Sequence, residues 1–295
     1  MSMRKQFVTT VESVLAGDER LMLLLGDIGV FGFNKTFQTY PGHVYNIGIL
    51  EQSTIGLAAG LAMTGFIPVV HTIAPFLVER AYEQLKLDFG YQQLGGNFVS
   101  VGASYDYAAL GCTHHCPGDV GILKNIPGME VILPGTAQEF DTLFKAAYAD
   151  GKPTYFRISE RENTESRAVV FGQAEVVKKG NQATVIAIGP SLKPVLEACE
   201  GLDVTILYYT TVAPFDQQTL QENCSSGKIV LVEPNYVGTL AHEVTQSLAG
   251  EKIMLGSIGV PREFLTNYGK AEDHDKTIGL TVENIRHRLE KLLAR

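Results

Sequence analysis

The stretch from Asn46 to Asp88, NIGILEQSTIGLAAGLAMTGFIPVVHTIAPFLVERAYEQLKLD, decides how the rest of the chain is read. Its first part, Glu51 to Met63, reads as a helix with Gly, Ala, Ser and Thr scattered over every face and a carboxylate at its start. Small residues all round mean close packing against other backbones, which puts Glu51 at or near a buried interface. An acid there complements the helix dipole. A buried carboxylate would instead need a dedicated partner, because burying an unpaired charge is costly. These residues alone leave both readings open. Ile67 to Ile73 (IPVVHTI) follows as a continuous apolar run, the pattern of a strand covered on both faces. Glu79 to Phe89 then returns to a helical pattern.

The same alternation extends in both directions. Leu21 to Leu25, ending at Gly26 and Asp27, Asn97 to Ala103, Met129 to Leu133 and Thr154 to Ile158 are strand-sized runs bounded by Gly, Pro or Asn. Ala137 to Ala149 is helical, with Thr136 and Glu139 at capping-box spacing. Such a βαβ rhythm predicts a parallel or mostly parallel sheet. The polar, charged SERENTESR (Ser159 to Arg167) breaks it and starts a linker ending near Lys178 to Gly180. Strands at Ala183 to Gly189, Val204 to Tyr208, Ile229 to Glu233 and Lys252 to Ser257 then alternate with four more helical stretches: Ser191 to Glu200, Phe215 to Asn223, Thr239 to Leu248 and Val282 to Leu293. The expected fold is α/β, two three-layer α/β/α domains in series, 1–165 and 181–295, joined by a linker at 166–180.

Composition narrows the function classes. A length of 295 residues fits about two domains. The net charge of −8, with no basic block to neutralise phosphates, argues against nucleic acid as a main partner. No apolar run approaches the ~20 residues of a spanning helix, and MSMRKQFVTT has no apolar signal core. The expectation is a cytoplasmic protein with no membrane partner, its four cysteines reduced.

Two stretches carry candidate chemistry. CTHHCPGD (Cys112 to Asp119) crowds two histidines between two cysteines. Adjacent His115 and Cys116 can hardly both face one tetrahedral ion, so no metal site is expected. A histidine in a Gly/Pro-rich loop past a strand suits substrate contact or proton transfer, although an ordinary loop histidine fits too. Arg157 and Arg161 flank the end of a strand, where arginines can make bidentate anion contacts. No GxGxxG, GxxxxGK[ST] or GxSxG is present.

These segments together resemble the transketolase family of thiamine-diphosphate enzymes. Asn46 to Asp88, VGASYDYAALGCTHHCPGD and NIPGMEVILPGTAQEFDTLFKAAY are similar to its pyrimidine-binding domain. VEPNYVGTLAHEV, SIGVPREFLTNYGKAED and GLTVENI are similar to its C-terminal domain, as in the C-terminal half of a split, two-subunit transketolase. The resemblance implies that Glu51 hydrogen-bonds N1′ of the cofactor's aminopyrimidine, favouring the imino tautomer that deprotonates the thiazolium, and that Phe76 stacks on that ring. It implies that His114 lines the substrate channel and that Arg157, or Arg161 in another register, binds a substrate phosphate. Asp27 matches an acidic residue of unassigned role beside the cofactor. Leu110 stands where ordinary transketolases carry an aspartate for a donor hydroxyl, and a leucine cannot accept that bond; a buried unpaired hydroxyl costs ~1–3 kcal/mol. A smaller or less polar donor, such as a 2-oxo acid, is therefore weighed beside a ketose.

The GDG segment that holds Mg²⁺ in the family's diphosphate-binding half is absent. The diphosphate and Mg²⁺ are expected on a separate N-terminal-half subunit, in an α2β2 heterotetramer active only when assembled. The expected reaction cleaves a donor next to its carbonyl and transfers a two-carbon ketol or acetyl unit to an aldehyde or ketone. Alternatives are a β-type subunit of a 2-oxo-acid dehydrogenase and a non-catalytic binding partner.

Overall fold

A computed structural model describes residues 1–294. Twelve strands run in chain order as β1 Leu21–Leu25, β2 Val44–Asn46, β3 Ile67–Ile73, β4 Gly96–Val101, β5 Glu130–Ile132, β6 Pro153–Arg157, β7 Glu175–Lys178, β8 Thr184–Ile188, β9 Thr205–Tyr209, β10 Thr211–Ala213, β11 Lys228–Tyr236 and β12 Met254–Val260. They form a seven-stranded sheet, β10-β5-β6-β4-β3-β1-β2, and a five-stranded sheet, β12-β11-β8-β9-β7. All pairings are parallel except β10 on β5 and β7 on β9, each antiparallel.

In the first sheet the period-two geometry of a strand divides β1 between two cores. Leu21, Leu23 and Leu25 enter the core beneath helices Met3–Leu15 and Ala137–Ala147, while Leu24 faces the opposite core with Ile55, Ala58 and Leu77. Both faces are covered, so the strand is apolar at every position. Thr136 caps the Ala137–Ala147 helix by accepting from the Glu139 amide at 3.2 Å. The reciprocal arm of the capping box reaches one residue further back, Glu139 accepting from the Gly135 amide at 2.8 Å.

Several features depart from the sequence reading. The helix Met3–Leu15 and the short strand β2 lie where no element was expected. The stretch read as a linker, 166–180, ends in β7, a strand of the second sheet. Strand β10, from the second half of the chain, lies on the first sheet, Thr211 opposite Ile132. The segment Glu79 to Phe89 is helical but wound in π turns over Phe76–Arg80 and Leu85–Tyr91.

The two halves are tied together by more than the exchanged strand. Tyr208 on β9 donates to Glu139 at 2.7 Å, and the Tyr236 amide donates to the Pro117 carbonyl at 2.9 Å. Tyr105 of the first half packs in a small core with Val260 and Leu265 of the second. Among the described residues no helix is long and apolar enough to cross a membrane.

Candidate active site

The functional cluster sits past the C-terminal ends of β1, β2, β3 and β4, the edge where parallel α/β sheets bind ligands. Strand β2 ends at Asn46, and the turn through Gly48 (φ 85°) delivers Glu51 to the first position of the helix Glu51–Met63. Glu51 is 2% exposed. Its Oε2 accepts from Nη1 of Arg80 at 2.7 Å, and its Oε1 is buried with no partner. The carboxylate therefore has the dedicated partner that burial demands, and one oxygen still unsatisfied. Both readings of Glu51 hold: it opens the helix and it is buried and paired.

Strand β3 leads through Pro75 into the π turn Phe76–Arg80. π turns concentrate at functional sites, and here the turn brings the Arg80 guanidinium over the Phe76 ring, 4.2 Å from its centroid. Past β4, the chain makes two 3-10 turns, Ala108–Leu110 and Cys112–His114, joined at Gly111 (φ 75°). They set the His114 ring edge-on to Phe76, centroids 5.3 Å apart at 72°. Glu51, Phe76, Arg80 and His114 thus form one contiguous group from three segments. Thr113 lies 3.0 Å from Nδ1 of His114.

Leu110 stands on the same loop, half exposed, and Gly111 packs against the Tyr268 ring of the second half. Asp27, with φ 64°, is exposed at the end of β1 and holds Asn46 through its amide (3.0 Å) and side chain (3.2 Å). It braces the approach to Glu51 rather than joining the cluster. Cys112 is exposed and Cys116 buried, all four cysteines are free, and no group of metal ligands occurs among the described residues.

The two arginines expected to take a phosphate are both engaged in ion pairs with the protein's own carboxylates. Arg157 is 2% exposed; its Nε donates to Asp119 at 2.6 Å and its Nη2 to Ser104 at 3.0 Å. Tyr155 donates to the same Asp119 oxygen at 2.9 Å. The guanidinium is a buried ion paired with Asp119, and it lines a cavity of about 540 Å³ together with Ser104, Asp106, Ser159 and Arg161. Arg161 lies over Tyr105 and donates to Asp275 at 2.9 Å, bridging the two halves. Near them burial raises Asp106 to about 6 despite its hydrogen bonds from the Glu160 amide and Ser159. His115, against Tyr105 and His274, is lowered to about 4 by burial.

Sequence reasoning missed Arg80 and Asp119. Arg80 follows Phe76 by four residues, a spacing that puts a cation beside an aromatic on one helical face. Asp119 carried no such signal, because its partner lies 38 residues away. A cavity of about 300 Å³ is lined by Arg4, Lys5, Phe7, Phe31, Phe33 and His71. Arg4 and Lys5 are exposed at its rim. Nδ1 of buried His71 lies 2.8 Å from the Val99 carbonyl and so carries the proton, and burial lowers this histidine to about 4.

Residues 1–165 match the transketolase pyrimidine binding domain and residues 172–285 the transketolase C-terminal domain. The chain therefore belongs to the transketolase family. An uncharacterized protein of the fasciation locus of Rhodococcoides fascians is 40% identical, over 97% of this chain and 93% of its own. One of the subunits of the apulose-4-phosphate transketolase of Phocaeicola vulgatus is 28% identical, over 96% of this chain and 94% of its own. Among solved structures, a split-gene transketolase described as an inactive beta4 tetramer superposes with a TM-score of 0.86 at 25% identity, covering 100% of this chain and 98% of that one. The two α/β domains in series are those of transketolase.

Proposed function

We propose that this chain is the pyrimidine-side subunit of a two-subunit, thiamine-diphosphate-dependent transketolase that moves a two-carbon ketol unit from a ketose to an aldehyde. The observation that carries the reading is the buried, unpartnered Oε1 of Glu51 beside Phe76 and His114. A buried carboxylate oxygen without a partner fits a ring nitrogen supplied by a ligand, and a half-buried phenyl ring fits a flat heteroaromatic. Bound there, thiamine diphosphate supplies the electron sink that lets a bond next to a carbonyl break and re-form.

In this reading Glu51 holds the pyrimidine nitrogen, Phe76 packs on the ring, and His114 stands over the reacting carbonyl to hold or pass a proton. Leu110 walls the donor side, and Asp27 with Asn46 fixes the turn that leads to Glu51. Arg80, already in the cluster and 38% exposed, is the cation nearest an anionic substrate. The separate subunit brings the diphosphate site and Mg²⁺, in an α2β2 assembly in the cytoplasm. The exposed face of the Glu51 helix, with Gly56, Leu57, Gly60 and Met63, suits close contact with another chain. A ketose donor, rather than pyruvate, agrees with the transketolase name of the Phocaeicola vulgatus relative; no comparison favours a lipoyl-linked dehydrogenase or a non-catalytic role.

The test is reconstitution with the separate N-terminal-half subunit, offering ketose and pyruvate donors and following the new ketone by mass spectrometry. Thiamine-dependent product should appear only with both chains. Glu51→Gln should cut turnover by about 10²–10⁴-fold, the scale of a lost proton-transfer group. Undiminished turnover by that variant, or full activity of the single chain, overturns the reading.

A further inference from the structure

The loop that carries His114 belongs to the first half of the chain but is held from the second. It runs from Ser104 to Cys116 and is closed at its base, where the Cys116 amide donates to the Ser104 carbonyl at 2.7 Å. Its regular structure is limited to the turns Ala108–Leu110 and Cys112–His114, single 3-10 turns with few hydrogen bonds of their own. Residues of the second half pack against it on both sides of His114. Before it, the Tyr268 ring lies so close to Gly111 that a Cβ there would meet it at 2.6 Å. After it, His115 meets His274, of the helix Ala271–Ile278, edge-on with centroids 5.4 Å apart. The same His274 ring is edge-on to Tyr105, whose hydroxyl donates to Asp275. At the base of the loop Ser104 donates to the Pro234 carbonyl.

His274 is fully buried, whereas Tyr268 is 72% exposed. None of the four ring nitrogens of His115 and His274 has a hydrogen-bond partner among the described residues. Unpartnered buried nitrogens detract from stability, so it is the shape of the His274 ring, not its polarity, that supports the contact.

We infer that His274 and Tyr268 are positioning residues supplied by the second domain: packed on His115 and Gly111, they fix the turn between them and with it the place of the His114 ring. This rests on the reading of His114 given above. It gives the second domain a part in turnover that is separate from cofactor binding, because Glu51 and Phe76 stand on elements of the first half.

The experiment uses the pair reconstituted with the N-terminal-half subunit and compares wild type with Tyr268→Ala, His274→Ala, His274→Phe and His114→Ala. Turnover is followed with a ketose donor, thiamine diphosphate binding by calorimetry with Mg²⁺ present, and urea unfolding on the chain alone. A misplacement of about 1 Å can cost about 10²-fold in rate, so Tyr268→Ala and His274→Ala should each lower kcat by about tenfold or more. KM for the donor and Kd for the cofactor should stay at the wild-type values. Tyr268→Ala should unfold at the same urea concentration as wild type, since its ring is mostly in solvent; it alone decides the matter where His274→Ala fails to fold. His274→Phe keeps a buried ring and should restore kcat, with stability at or above wild type. In a His114→Ala background neither Tyr268→Ala nor His274→Ala should lower kcat further. An unchanged kcat in Tyr268→Ala, a loss as large in the His114→Ala background as outside it, or His274→Phe as slow as His274→Ala overturns this inference and leaves the functional reading standing. A wild-type pair that binds no thiamine diphosphate, or a His114→Ala pair that turns over at the wild-type rate, overturns the functional reading and this inference with it.

Discussion

Converting Asp119 to Asn tests the structural weight of the ion pair it makes with Arg157. Both side chains are essentially without solvent contact, 1% and 0% exposed, and are joined at 2.6 Å. The guanidinium stays charged at any working pH, so the substitution leaves a buried cation uncompensated. Breaking such a pair from one side costs about 3–5 kcal/mol. Weakening the bond that Tyr155 donates to the same oxygen at 2.9 Å adds about 1 kcal/mol, partly offset because Tyr155 keeps Ser100 at 2.7 Å. Against a usual total stability of ~5–15 kcal/mol this is a large fraction. It should lower the urea midpoint by roughly 1–2 M. The double variant Asp119→Leu/Arg157→Met removes both charges and should recover most of that loss, since apolar residues of similar volume often replace a buried pair without penalty. The reconstituted enzyme carrying it should keep its KM for a phosphorylated substrate. A loss under about 1 kcal/mol for Asp119→Asn, or a KM for phosphorylated substrate that climbs in the double variant while the unphosphorylated one is unaffected, would refute the structural assignment.

Other perturbations follow from the same geometry. Burial pushes Glu233, on β11, up to about 7 from its ordinary 4.5. The folded chain then keeps a proton the unfolded chain has released, so this stability is complete below about 4.5 and is lost as pH rises through 7. Unfolding measured from pH 4.5 to 8 should show a smaller fall for Glu233→Gln than for wild type. His115 acts at the other end. Lowered from 6.5 to about 4, it makes the fold lose stability as pH falls through that window, and His115→Phe should flatten the acid limb of the same titration. Thr136→Ala removes the helix cap and should cost about 1 kcal/mol by urea unfolding, with cofactor binding unaltered. Gly135→Ala sets a methyl group against Asn163 and the Tyr208 hydroxyl where no room exists. It should cost about 1–3 kcal/mol and loosen the join between the two halves, read as faster proteolysis near Asn163.

Much of the fold was legible because its strands are buried on both faces. Leu21 to Leu25 and Thr184–Ile188 read as strands since nearly every position is apolar, and Val282–Leu293 read as a helix, to which the structure adds the Thr281 cap. What escaped were elements whose identity depends on a neighbour. Val44–Asn46 and Thr211–Ala213 are three residues each, too short for a period to show, and exist because β1 and β5 offer open edges. Glu175–Lys178 is half-buried and carries charges, so it resembled linker. At the site, Glu51, Phe76 and His114 were legible from the resemblance and fall together in space. The Asp119 pairing of Arg157 escaped for a physical reason: an arginine past a strand end looks the same in sequence whether or not a buried aspartate lies beside it. Only the fold brings Asp119 beneath it.

Strand β10 also bears on how the chain is made. The outer edge of the first sheet, β5, is completed only by residues 211–213, well over a hundred positions after the sheet begins. A ribosome that has released the first 165 residues has therefore exposed a sheet with an unpaired rim. Bare rims pair with whatever extended chain is near, a sister molecule included. Nascent chains paused there, or fragments cut there, should cling to one another until the later segment arrives. For the same reason the two halves cannot be exchanged between relatives as independent cassettes: a graft at the apparent boundary would bring a foreign β10 to an edge shaped for another.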